Sequence, residues 1–151
     1  MAKFVYRMQN ILDIKLRLET QVKTEFAEAS AKLAQEEEKL RKLIEKRKEY
    51  ERELKRLSED KLELEELKRC SGYIQTLKEL MQQQALAVRI AQRNLDKVRE
   101  RLNQAMQERK IYEKLREKAF EEFKEELNAE EKKEIDQLVS FTYNDKNRDS
   151  Q

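Results

Sequence analysis

The chain has 151 residues, 44% of them charged and 38% apolar, with 34 basic against 32 acidic side chains for a formal charge of +2. It carries one Gly, one Cys and no Pro, Trp or His, which excludes imidazole bases, Ser/His triads, Cys/His zinc sites and Gly-rich phosphate loops. Turn formers are this scarce and Ala, Glu, Lys, Leu and Arg this abundant, so the expected fold is all-α: long helices whose few apolar residues make a narrow seam in place of a thick core.

A first helix is expected over about residues 4–57. Its apolar trace runs Phe4, Met8, Ile11, Lys15, Leu18, Val22, Phe26, Ala29, Leu33, Glu36, Leu40, Leu43, Arg47, Tyr50, Leu54 and Leu57, in steps that alternate four and three. That alternation is the seam of a coiled coil. Two consecutive steps of four around Leu18, Val22 and Phe26 read as a stutter, which locally unwinds a supercoil. Exposed faces pair acids with bases four residues on, as in Glu28/Lys32, Glu38/Lys42, Glu51/Lys55 and Glu65/Arg69.

Ser58, Glu59 and Asp60 can cap a helix start and the lone glycine stands at Ser71-Gly72, so residues 58–72 are expected to reverse the chain. Residues 61–69 can form a short helix at that tip. Two registers stay open, one turning near Asp60 and one near Gly72; in the first, Tyr50 and Tyr73 come opposite one another. The second helix, about residues 73–138, repeats the seam through Ile74, Leu77, Met81, Gln84, Val88, Ala91, Leu95, Val98, Leu102 and Ala105, then takes an extra step of three to Glu108, Tyr112, Leu115 and Ala119. Residues 1–140 then make one antiparallel two-helix coiled-coil hairpin with arms of about 54 residues, or about 80 Å. Residues 141–151, FTYNDKNRDSQ, read as a frayed, disordered tail.

Eight of the ten aromatics lie at or before Phe26 or at or after Tyr112, and the other two, Tyr50 and Tyr73, flank the turn. A hairpin therefore collects rings at both ends, where they either widen the seam packing or mark docking sites. The six bases of residues 39–48 could meet an acidic partner or nucleic acid, but with acids on either side a solvated helix face is the expected role. Gln84 serves helix registration or a partner contact. Paired carboxylates such as Glu121/Glu122 lack the pocket a general acid needs, so neither enzyme activity nor a cofactor is expected. Near-zero charge argues against nucleic acid. No run of about 20 apolar residues is present, and the first twenty residues lack the apolar stretch of a signal peptide, which together with the lone Cys70 points to the cytoplasm.

Certain strings are more specific than the heptads. Phe4-Val5-Tyr6-Arg7-Met8-Gln9-Asn10-Ile11-Leu12-Asp13 at the start, Tyr73-Ile74-Gln75-Thr76-Leu77 in the centre, and Glu108-Arg109-Lys110-Ile111-Tyr112-Glu113-Lys114-Leu115 with Lys132-Lys133-Glu134-Ile135-Asp136 near the end together resemble the flagellar FliJ family, in order, from residue 4 to about 140.

The resemblance implies a soluble component of the flagellar type III protein export apparatus, similar to the central shaft of a rotary ATPase. Its terminal end would enter the hexameric export ATPase, and its other region would dock on the cytoplasmic domain of the membrane export gate. Such a protein would sit at the cytoplasmic face of the inner membrane at the flagellar base, be monomeric alone, and also meet export chaperones and the ATPase regulator. Carried over position by position, the gate-docking patch implied is Leu43, Tyr50, Tyr73, Leu77, Leu80 and Gln84. The ring contact is expected at Phe4, Met8, Ile11, Tyr112, Leu115, Phe123, Ile135 and Asp136. The alternative is a structural spacer that homodimerises through the same seam.

Overall fold

The computed structural model describes residues 2–59 and 64–149, with side chains as far as residue 144. Two helices, α1 (Gln9–Glu59) and α2 (Leu64–Asp149), pack against each other, and no strand occurs among the described residues. The packing is antiparallel. Lys15 meets Glu108, Glu25 meets Arg101, Glu36 meets Gln84, and Tyr50 meets Tyr73, so positions climb on one helix as they fall on the other. Contacts gather the chain into two compact units: a terminal unit of Met1–Leu18 with Ala105–Gln151, and a hairpin unit of Glu19–Gln104.

Both helix ends differ from the sequence expectation. Residues 4–8 are not part of α1: the Gln9 N–H donates to the Tyr6 carbonyl at 3.1 Å, closing a turn that frees the first residues to lie along α2. Phe4 gains two aromatic neighbours there, which a continued helix would deny it. At the other end α2 runs through residues 141–149, expected as tail. Asn144, Asp145 and Asn147 lower helix propensity, but no Gly or Pro stops the ladder, and Thr142 Oγ1 donates to the Leu138 carbonyl at 2.8 Å as helical back-bonding requires.

The tip also moves. Ser58 caps no helix start; its hydroxyl donates back to the Lys55 carbonyl at 2.8 Å in the last turn of α1. Gly72 lies inside α2 without a positive φ. Its turn-forming tendency is overridden by the seam residues around it, Cys70, Ile74 and Leu77, which are all buried. Residues 64–69 are the first turns of α2, with Glu65 and Glu66 favourably placed at its positive end. Residues 60–63 lie outside the described residues. Nothing occupies the space a Cβ at Gly72 would take. Gly72→Ala is therefore expected to raise stability by about 1 kcal/mol in a chemical melt, whereas a turn glycine would lose stability on the same change.

The seam itself is more regular than the hydropathy trace. Buried and half-buried positions on α1 run Leu12, Lys15, Glu19, Val22, Phe26, Ala29, Leu33 and Glu36, and on α2 Val98, Leu102, Ala105, Arg109 and Tyr112, alternating three and four without a break. Neither expected discontinuity is present: Leu12 and Glu19 replace Ile11 and Leu18, and Arg109 replaces Glu108. Helical phase is cooperative, so the pattern set by many apolar positions carries charged side chains into line on the seam. Glu19 is 4% exposed and bonds Lys23 at 3.3 Å. In the hairpin unit the core is Leu33, Ala91 and Leu95, with Phe26, Ala29 and Val88 against it. The surface ion pairs differ from the expected acid-then-base pattern: Lys32 reaches Glu36, Arg41 reaches Glu45 and Arg47 reaches Glu51, each base four residues before its acid, and Arg41 also holds Glu38 at a spacing of three.

Candidate functional site

In the terminal unit the non-helical first residues are stitched to α2. The Phe4 ring meets Phe120 edge-on at 5.1 Å and Phe123 at 5.6 Å. Arg116 places its guanidinium 5.7 Å from the Phe4 centroid and donates to Gln9 Oε1 at 3.0 Å, while the Tyr6 hydroxyl donates to the Tyr112 carbonyl at 3.3 Å. An open cleft results, lined by Phe4, Tyr6, Leu115, Ala119 and Phe123. Below it the Lys15 ammonium bonds Glu108 at 2.8 Å, which raises the lysine pKa.

Of the residues expected to meet the ATPase ring, Phe4, Tyr112 and Phe123 are half-buried and hold this cluster together. Met8, Ile11, Leu115 and Ile135 present 39–60% of their surface, and Asp136 is exposed. Beside these eight, Ile14, Ile111, Leu138, Val139 and Phe141 are exposed by 56–67%. A signal was available for the last three: residues 137–144 carry no charge in a chain that is 44% charged, which a solvated helix does not need.

In the hairpin unit the structure brings Tyr50 and Tyr73 together, ring centroids 5.5 Å apart, so the register is the one that turns early. The Cys70 thiol donates to the Tyr50 carbonyl at 3.2 Å, fixing the backbone beneath that pair. Tyr73 and Leu80 are 54% and 43% exposed, one heptad apart. Leu43 and Tyr50 are half-buried beside them. Leu77, at 7%, belongs to the seam, so the six expected gate-docking residues do not form one exposed patch.

Gln84 also faces inward. Its Nε2 donates to a Glu36 carboxylate oxygen at 2.5 Å and to the Glu36 backbone carbonyl at 2.9 Å. Lys32 and Lys39 reach the same carboxylate at 2.9 and 3.6 Å. The hydrogen bonds from Lys32 and Gln84, with the charges of Lys32 and Lys39, hold the Glu36 pKa down from 4.5 to about 2 against the cost of burial. A depressed carboxyl binds its proton more weakly folded than unfolded. Its contribution to stability is thus complete above pH 4.5 and lost as pH falls toward 2. Urea midpoints of the wild type should fall through that window more steeply than those of Glu36→Gln; parallel curves would contradict the pairing.

No group of side chains suited to a metal ion occurs among the described residues, and no helix among them is long and apolar enough to cross a membrane. Large apolar side chains stay exposed in both units. The family model described as the flagellar FliJ protein matches residues 4–148. The chain belongs to the FliJ family. FliJ proteins are non-catalytic components of the flagellar export apparatus. Comparisons with curated proteins and with solved structures give no match. Family membership thus spans both regions of this FliJ chain, the stitched terminal unit as well as the tyrosine pair of the hairpin unit.

Proposed function

We propose that this FliJ chain acts as a stalk, its terminal unit engaging the export ATPase hexamer and its hairpin unit docking on the cytoplasmic domain of the membrane export gate, with export chaperones and the ATPase regulator as further partners. In this reading the chain works at the cytoplasmic face of the inner membrane, held there by its partners. One observation carries it: among the described residues, fourteen of the nineteen large apolar side chains that stay exposed lie in the terminal unit. Charged side chains dominate the hairpin surface, where Arg41, Arg47 and Arg56 pair with neighbouring acids. Apolar surface left in water is unfavourable by about 25 cal/mol per Å², so such a concentration is expected where a partner covers it.

The homodimer alternative is disfavoured by the Glu36–Gln84 bond, which is satisfied within one chain. A parallel in-register dimer would set Glu36 against its own copy, two like charges at one seam level.

Mixing the purified chain with the export ATPase should promote hexamerisation and raise ATP turnover. No change in either would sink the stalk reading. Gate docking is tested by Tyr73→Ala with Leu80→Ala, which should weaken binding of the gate's cytoplasmic domain about tenfold at unchanged helicity. Leu77→Ala, by contrast, should act mainly by lowering the melting temperature. Wild-type gate affinity in the double variant would remove the patch.

A further inference from the structure

The outer face of α2 in the hairpin unit carries a patch outside both docking regions. Leu86 and Ile90, one helical turn apart, are 56% and 53% exposed. At 3.6 residues per turn Arg89, Arg93 and Lys97 fall in the same arc of about 100°. The seam positions Val88, Ala91 and Leu95 point the other way, toward α1. All five residues of the patch are exposed.

The charges of the patch are unanswered. Elsewhere in the hairpin unit Arg41, Arg47, Arg99 and Arg101 each bind an acid, Arg101 reaching across to Glu25 at 2.7 Å. Arg89, Arg93 and Lys97 form no ion pair or hydrogen bond among the described residues. Residues 89–101 hold five bases against Asp96 and Glu100, and the preceding residues 80–88 are wholly uncharged, so no acid of the same helix lies within reach on that side. Asp96 is already engaged by Gln92 and Arg99.

We propose that this face docks an acidic amphipathic helix of a partner protein. Two apolar side chains of that helix pack on Leu86 and Ile90 while its carboxylates pair with Arg89, Arg93 and Lys97. The i,i+4 spacing of the apolar pair is the ridge spacing into which another helix fits, and three cations around it select an acidic rim. A nucleic acid would neutralise the cations but leave Leu86 and Ile90 uncovered by its phosphates. A membrane surface asks for a longer apolar stripe than two residues supply. The proposal stands apart from the stalk reading, since none of its five residues belongs to the ring contact or the gate patch.

The probe is a labelled synthetic helix with a Leu-Ala-Ala-Ala-Leu stripe flanked by glutamates, titrated into the full chain and followed by fluorescence anisotropy. Saturable binding is expected that weakens with salt. Leu86→Ser with Ile90→Ser should weaken it about tenfold without moving the melting temperature, because both positions are exposed. The charge reversal Arg89→Glu, Arg93→Glu and Lys97→Glu should abolish it and confer binding of the same helix built with lysines. Equal binding of the acidic and basic helices by wild type, or no loss in either variant, overturns the proposal. Duplex DNA or phosphatidylglycerol vesicles binding with the same dependence on the three cations, and none on Leu86 and Ile90, would assign the face to nucleic acid or membrane instead. A sedimenting dimer that dissociates in the Leu86→Ser, Ile90→Ser variant would make a second copy the occupant.

Discussion

Ile135→Ser, Leu138→Ser and Val139→Ser together should abolish binding to the export ATPase and its stimulation while leaving the thermal melt of the chain where it was. The three side chains are 60–65% exposed on α2, so their removal takes little from intramolecular packing. Each buries on the order of 1.5–3 kcal/mol of apolar surface if a partner encloses it. Even a third of that sum is about tenfold or more in affinity. Pull-down and ATPase assays read the loss, and circular dichroism reads the unchanged fold. Ring binding that survives the triple substitution would move the contact to the cleft formed by Phe4, Leu115 and Phe123. A contrasting variant is Phe4→Ala, which strips Phe120 and Phe123 of their ring partner and should loosen the terminal unit itself.

Leu95→Ala is expected to cost about 3 kcal/mol, the largest stability loss of any single core truncation in the hairpin unit. Leu95 is 5% exposed and forms the core with Leu33 and Ala91. Ala91 is already as small as a side chain can be with a methyl, so it cannot fill the gap, and a two-helix seam has no further layer to move in. The surface control Leu86→Ala should change stability by less than about 0.5 kcal/mol. Urea denaturation distinguishes the two; similar losses at both positions would mean that α1 does not cover Leu95. The marginal stability expected of a thin seam makes the core variant informative, because a loss of this size is a large share of the total.

The two helices and their antiparallel pairing were legible because nothing in the chain interrupts them and because the 3-4 alternation persists for many turns. Placing Tyr50 opposite Tyr73 followed from one of the two registers that the sequence left open, and the ring contact decides between them. Three features were not legible. Hydropathy ranks Leu18 above Glu19, yet the phase imposed by Val22, Phe26, Ala29 and Leu33 puts Glu19 on the seam and leaves Leu18 38% exposed. Gly72 looks like punctuation, but burial of Cys70, Ile74 and Leu77 keeps the helix going through it. Gln84 was assignable to registration or to a partner, and only its bond to Glu36, 48 residues away, selects the first.

Composition alone therefore determined that this protein is helical, lacks the residues of imidazole, zinc and Gly-loop chemistry, and presents charge to water along most of its length, since those properties depend on which residues are present and at what local spacing. Tertiary structure decided which of two adjacent stripes forms the seam, which tyrosines and leucines remain available to partners, and which cations are left without acids. These depend on what the second helix covers, a long-range contact whose energy is shared over dozens of positions and is not readable at any one of them.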